Sequence, residues 1–343
     1  MSFDFLAGLA VRVFGNGAGA TDTVEPELVE LATEAVIDTV DPRLRAVTDY
    51  RKNLAGGAAT TILHLRGLAR ALPEPIEFAR SLWRTDPHLN AMFATAEDMS
   101  SALGASPELR NWFDANPAVD KSYAVMGMFM TERTVFAPAL VDGQLRHDVG
   151  QTTVSFSKHK FLAPAADAAA CRRDVGVLIF KRLAAVALER ITALNDRTSE
   201  LEHRKAMLSA RLRLLKLRRE SIDQLASTAD DAAEIGRIEA ELGKTAEEAT
   251  ATKAQLATLA SRLEQVSAVL EAPADNVSAS QVLLRVNRMG YKLAPDSSEP
   301  ASELRMTELA IGGLKIIIAF IHVHRAELPP KVSLIAKAAR EFL

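Results

Sequence analysis

Residues 191–222 read ITALNDRTSELEHRKAMLSARLRLLKLRRESI. Leu194, Leu201, Leu208, Leu215 and Ile222 recur every seven residues. Ile191 and Leu212 occupy the complementary core row, which Thr198, Lys205 and Arg219 interrupt. A second series follows, with Ile235, Leu242, Ala249, Leu256, Leu263 and Leu270 in one row and Ile238, Thr245, Thr252, Leu259 and Val266 in the other. A sustained heptad keeps one apolar seam turned toward a neighbouring helix, so the pattern predicts two coiled-coil helices. The break between them, ASTAD at 226–230, is rich in capping residues. So short a break implies antiparallel neighbours and hence a helical hairpin. About 42 residues per arm at roughly 1.5 Å each predicts a stalk of roughly 60 Å.

The charges agree with this pairing. Near the tip the first arm carries Arg211, Arg213, Lys216, Arg218 and Arg219, and the second carries Asp230, Asp231, Glu234, Glu239 and Glu241. Exposed pairs contribute only about 0–1 kcal/mol each. Their pattern selects the register.

Outward from the heptads, Pro164 and AADAAA (165–170) open the first long helix. Upstream the period changes. TVFAPALV (134–141) and QLRHDVGQTTVSFSKHKFL (144–162) flank Asp142-Gly143. Asp-Gly between two β-prone runs predicts a hairpin, because a type I′ turn needs positive φ at both central residues. Val154 and Phe156 fall on one face, and Ser155, Ser157 and His159 on the other. Pro138 predicts an edge strand. Residues 26–130 read as a bundle of short helices, with prolines at 26, 42, 87, 107 and 117 each marking a start. Residues 1–25 read as a flexible leader. Its G-x-G-x-G at 15–19 lacks the spacing of a dinucleotide loop.

Downstream of Pro273, Ser278 or Ser280 is expected to cap a short helix through Arg288, closed by Gly290. RMTELAI (305–311), Gly312-Gly313 and LKIIIAFIHVHR (314–325) read as a second hairpin. VSLIAKAAREFL (332–343) reads as a terminal amphipathic helix. The expected fold is therefore α+β and predominantly α-helical, in five parts. A flexible leader (1–25) precedes an N-terminal helical bundle (26–130). The first hairpin (131–165) and the second (within 273–343) join in a small antiparallel sheet of about four strands. The long antiparallel coiled-coil hairpin (166–272) is inserted between them.

The 343 residues carry 41 basic and 44 acidic side chains, a formal net charge of -3. A balanced chain has no global drive toward nucleic acid or an anionic membrane. Cys171 is the single cysteine, so no intrachain disulfide forms, which fits a reducing cytoplasm. The apolar opening MSFDFLAGLAVRVFG lacks the basic n-region of a signal peptide. It offers instead a peripheral membrane contact.

Four constellations could carry chemistry. His322 and His324 share one strand face and could ligate a divalent metal, with His159 or Glu327 as a third ligand; the plain alternative is two half-exposed histidines. Cys171 beside Arg172 and Arg173 could be nucleophilic, but no partner base is defined. Arg211–Arg219 could bind phosphates, yet Phe, Tyr and Trp are absent from 181–289 and the acidic arm matches the charge. Met126, Met128 and Met130 read as core filler. No motif demands a cofactor. The reading favoured is a non-enzymatic structural or interaction protein, a scaffold or adaptor. It binds a protein partner, or a second copy of itself, through the stalk residues Arg211, Arg213, Lys216, Arg218 and Arg219. The alternatives are a metal-binding protein or enzyme using His322 and His324, and nucleic-acid binding at the basic tip.

Overall fold

In the computed structural model of the chain, β4 (Val277–Val286) pairs with β6 (Ser302–Ile311) residue for residue. The register runs from Val277 opposite Ile311 to Val286 opposite Ser302. This ladder replaces the short helix expected after Pro273. Serines at 278 and 280 suit helix caps, but Val277, Val282 and Val286 suit a pleated surface, and long-range pairing overrides a weak local preference. The structure describes residues 24–141, 144–220, 229–287, 289–294, 297 and 299–330, with the backbone alone for 137–141, 144–147, 219–220 and 229–231. The expected leader (apart from its last two residues), the Asp142-Gly143 turn and the expected terminal helix lie outside the described residues.

The second hairpin is present. β6 turns through Gly312-Gly313 into β7 (Leu314–His324). Gly312 and Gly313 both hold positive φ, 54° and 79°, the requirement that glycine meets without steric cost. β7 pairs with β2 (Lys121–Val141), and β2 with β3 (Gln144–Ala165). Two short strands, β1 (Ile76–Glu77) and β5 (Tyr291–Lys292), complete a mixed sheet in the order β1-β7-β2-β3-β5-β4-β6. Only β1 runs parallel to its neighbour, β7. Because β6 also pairs with β7, the strand order returns on itself.

The expected small sheet of two hairpins is thus corrected to a seven-stranded mixed sheet among the described residues. The added strands find partners that no local pattern announces. The first hairpin also begins earlier than expected, at Lys121, so Met126 and Met128 lie in a strand and are buried. β2 is flanked on both sides over Lys121–Met128. Pro138 lies in the outer part, which pairs with β3 alone, at a register shift between Ala137 and Ala139.

Besides the shift opposite Pro138, β3 changes phase twice more. Lys158 and Ala163 hold φ of 56° and 53° at register shifts opposite Gly127/Phe129 and Tyr123/Val125. Each bulge inserts a residue and re-aims the side chains beyond it. Phe156 and Phe161, five residues apart, therefore both pack on the same core.

Helices α1 (Pro26–Val40) and α2 (Tyr50–Arg70) precede β1. Three short helices, α3 (Pro87–Met92), α4 (Ala96–Gly104) and α5 (Pro107–Ala115), lie between β1 and β2. Asp86, Thr95 and Ser106 cap them through backbone N–H groups. Then come α6 (Ala168–Glu220), α7 (Ala229–Ala254), α8 (Leu259–Glu271) and α9 (Pro273–Asn276). The second heptad series is interrupted at 255–258, where Thr258 caps α8 by accepting from the Ser261 N–H at 3.0 Å.

The chain divides into two units. Among the described residues, one comprises Ile62–Phe180 and 274–330; the other comprises Glu25–Thr61 and Lys181–Pro273. In the first, α3–α5 cover one sheet face, where Phe78, Met126, Phe161, Met306 and Ile321 are fully buried. The opposite face holds Val277, Thr307 and Phe320, also buried. The Arg172 guanidinium lies 5.0 Å from the Phe320 ring centroid, and His64 Nε2 sits 2.8 Å from the Val277 carbonyl oxygen. In the second unit α2 and α8 touch closely: a Cβ on Gly57 would lie 2.9 Å from Leu270 Cβ, and Thr61 Oγ1 donates to the Leu270 carbonyl at 2.8 Å.

Candidate functional site

The helix pair in the second unit is the feature whose chemistry the fold leaves unused. Arg197 pairs with Glu248 at 2.6 Å, Arg204 with Glu241 at 2.5 Å, and Arg211 with Glu234. Each step moves seven residues forward in α6 and seven back in α7, so the two helices run antiparallel in a constant register. Lys216 adds a pair with Glu239 at 2.7 Å. Glu248 and then Glu200 raise the Arg197 guanidinium further above its ordinary value through hydrogen bonds.

Burial follows the heptad rows. Ile191 and Leu201 of α6 are buried, as are Ile235, Ile238, Thr245 and Ala249 of α7. Nearer the break, Leu208, Leu212 and Leu215 are only half-buried, because two helices cover a seam from one side. A second apolar row lies on α6 away from that seam. Met207, Leu214 and Leu217 are 62%, 69% and 56% exposed. Sequence reasoning passed over this row, although its spacing is visible in the quoted stretch.

The residues singled out at the tip divide. Arg211 and Lys216 are engaged with acids of α7, as expected from charge pattern. Arg213 is exposed and has no ion-pair partner among the described residues. Arg218 is exposed and engaged. The side chain of Arg219 lies outside the described residues.

His322 and His324 do share a face of β7, with ring centroids 6.2 Å apart. The proposed third ligands are elsewhere employed. His159, re-aimed by the bulge at Lys158, stacks on Phe93 at 4.2 Å, and the Glu327 carboxylate accepts the Arg80 N–H at 3.0 Å. Lys121 stands opposite His324 in the ladder. Burial, then the Lys121 charge, lower the His322 imidazole below its ordinary value. Among the described residues no three His, Cys, Asp or Glu side chains gather as a metal site.

Cys171 is fully buried. Burial pushes its thiol up to about 12, Asp174 adds to the shift, and Arg172 opposes it. The folded chain is therefore expected to resist a thiol-specific reagent at neutral pH and to react fully once unfolded in urea; native labelling at the rate of a free thiol would contradict this.

A cleft of about 830 Å³ lies beside α3, lined by Trp83, Asp86, Asn90, Phe156, Asn287 and Met289. Its most prominent polar groups serve local structure. Asp86 accepts the His88 and Leu89 N–H groups, and Asn287 accepts those of Met289 and Tyr291. Among the described residues no helix is long and apolar enough to cross a membrane. Comparison of the chain with protein families, with curated proteins and with solved structures finds no match.

Proposed function

We propose that this protein is a non-enzymatic interaction protein, a scaffold or adaptor, that engages a protein partner through the α6–α7 helix pair, read as an antiparallel coiled coil. One observation carries the reading: three large apolar side chains stand more than half exposed on one face of α6. Exposed apolar patches of this kind mark association sites more often than they are left bare. The ion pairs to α7 hold that face in a fixed orientation. The lone buried cysteine supports a reducing cytoplasmic setting.

The test is to shorten the pair without disturbing its base. Arg197 and Glu248 are opposite one another. Replacing 198–247 by a short glycine turn therefore removes matched lengths of both helices. Cross-linking and affinity capture from the source cell are compared for the full and shortened chains. A partner captured by the full chain and lost from the shortened one is expected. The same set of proteins from both would remove the reading.

A further inference from the structure

We propose that the cleft beside α3 takes an extended peptide segment of another protein, which adds as a strand along the open edge of β3. All the residues lining this cleft belong to the sheet-bearing unit, so the inference does not depend on the helix pair.

β5 covers β3 only briefly. Thr152 and Thr153 stand opposite Lys292 and Tyr291, and the Val154 N–H donates to the Gly290 carbonyl at 3.2 Å. In an antiparallel ladder the N–H and carbonyl of one residue point to the same neighbour, and successive residues alternate between neighbours. The backbone groups of Val154 therefore turn away from β2, and those of Phe156 turn the same way. The bulge at Lys158 comes only after them. Among the described residues β5 pairs no further than Thr153, and β3 has no other strand on that side. The Phe156 N–H and carbonyl thus open into the cleft, which Val154, Ser155 and Phe156 line. An unpaired strand edge is a template for another backbone. A helix cannot use it, because its own N–H and carbonyl groups are bonded to one another. An extended segment carries the matching pair, and strand addition is the mode of recognition that uses it.

The same alternation states the partner's side chains. Val154 and Phe156 pack on the core together with Trp83, Met92 and Val286, and all five line the cleft. Residues opposite one another in a ladder share a face. A residue opposite Phe156 sends its side chain to this apolar wall. Its two neighbours turn to the side of Ser155 and Ser157, which are both exposed. The segment that fits alternates apolar residues with Ser or Thr. The cleft, about 830 Å³, has the size of a ligand site. Arg84 and Asp86 both line it, so no excess of cations selects a nucleic acid. A second copy cannot offer the same edge, because its own Phe156 lies inside the equivalent cleft.

The probe is a fluorescent pool of synthetic hexapeptides in which Val, Leu or Ile alternates with Ser or Thr, captured on the immobilised full chain. Capture is expected. The residues bonded to β3 are the apolar ones, so methylating their amide nitrogens is expected to cut capture about tenfold. Methylating those of Ser and Thr, which face away from β3, is expected to leave it within about twofold. Asn90 is exposed on α3 and lines the cleft. Asn90→Trp fills the cleft from that position and is expected to abolish capture with an unchanged urea midpoint. If that variant unfolds, the two methylated pools still decide the matter. The chain with 198–247 replaced is expected to capture the pool as the full chain does, so failure of the helix-pair reading leaves this inference standing. Capture of no peptide would overturn the proposal. So would equal capture of the two methylated pools, or undiminished capture by a folded Asn90→Trp chain. A dimer in sedimentation that Asn90→Trp dissociates would make a second copy the occupant and overturn it as well.

Discussion

Phe78→Ala is expected to destabilise the sheet-bearing unit by about 3–5 kcal/mol, the cost of a large buried aromatic and the cavity it leaves. Phe78 is fully buried, with its ring edge-on to Phe93 and Phe161, each at a centroid distance of 5.5 Å. Its N–H donates to the His322 carbonyl at 2.8 Å, so the same residue continues the β1–β7 pairing. The ring thus joins the short-helix layer to the sheet. No single neighbour can fill its place, because Phe93 is itself held in a stack with His159. Trp83 and Trp112, the two tryptophans, both belong to this unit. Urea unfolding followed by their fluorescence measures the loss directly. A change below about 1 kcal/mol would mean that the helices close over the cavity.

Arg325→Ala is the second large effect, about 3 kcal/mol, with Arg325→Lys recovering little of it. The guanidinium Nη2 donates to the carbonyls of Phe113 at 3.0 Å, Asn116 at 2.6 Å and Val119 at 2.9 Å. It also lies 4.8 Å from the Phe113 ring centroid. The last carbonyls of a helix lack intrahelical partners, and a cation there meets the negative end of the dipole. Arg325 comes directly after β7 and so ties the end of α5 to the end of the sheet. A lysine offers a point charge on a flexible stem; it lacks both the Nε that donates to the Val119 carbonyl at 3.3 Å and the planar group that lies over the Phe113 ring. Thermal unfolding gives the magnitude, and hydrogen exchange at 116–121 gives the location. A lysine variant as stable as the parent would show that charge alone, not the planar fork, does the tying.

The features readable along the chain were local ones. The heptad rows at Ile191–Leu215 and Ile235–Leu256 repeat often enough for the facing sides of the two helices to be read from spacing, although Leu208, Leu212 and Leu215 are only half-buried. The proline and cap signals at 26, 42, 87 and 107 were equally readable, since a first turn depends on neighbours within four residues. Gly312-Gly313 announced its hairpin because positive φ is a property of the residue itself. The second row, Met207, Leu214 and Leu217, is present in the same letters. The stronger seam beside it masks that row, and exposure is a property of the groups that pack nearby.

Other features belong to tertiary structure. VSASQVLLRV has no decisive period, and it is β6, beginning sixteen residues beyond its end, that pairs with it along its whole length. Ile76–Glu77 is a strand only because β7 lies beside it. The bulges at Lys158 and Ala163 shift the phase of β3, so the alternation that placed His159 with Ser155 and Ser157 ends before that histidine. His322 and His324 were correctly placed on one face, yet the residues opposite them, Tyr123 and Lys121, come from a strand far earlier in the chain. The long helices, the starts at Pro26, Pro42, Pro87 and Pro107 and the Gly312-Gly313 turn were legible from the letters, because their energies are summed over near neighbours, whereas Pro117 and the serines after Pro273 gave the same local signals and precede a turn and a strand instead. The seven-stranded mixed sheet and the exposed face of α6 were settled only in three dimensions, because strand pairing and burial depend on partners that the chain brings together by folding.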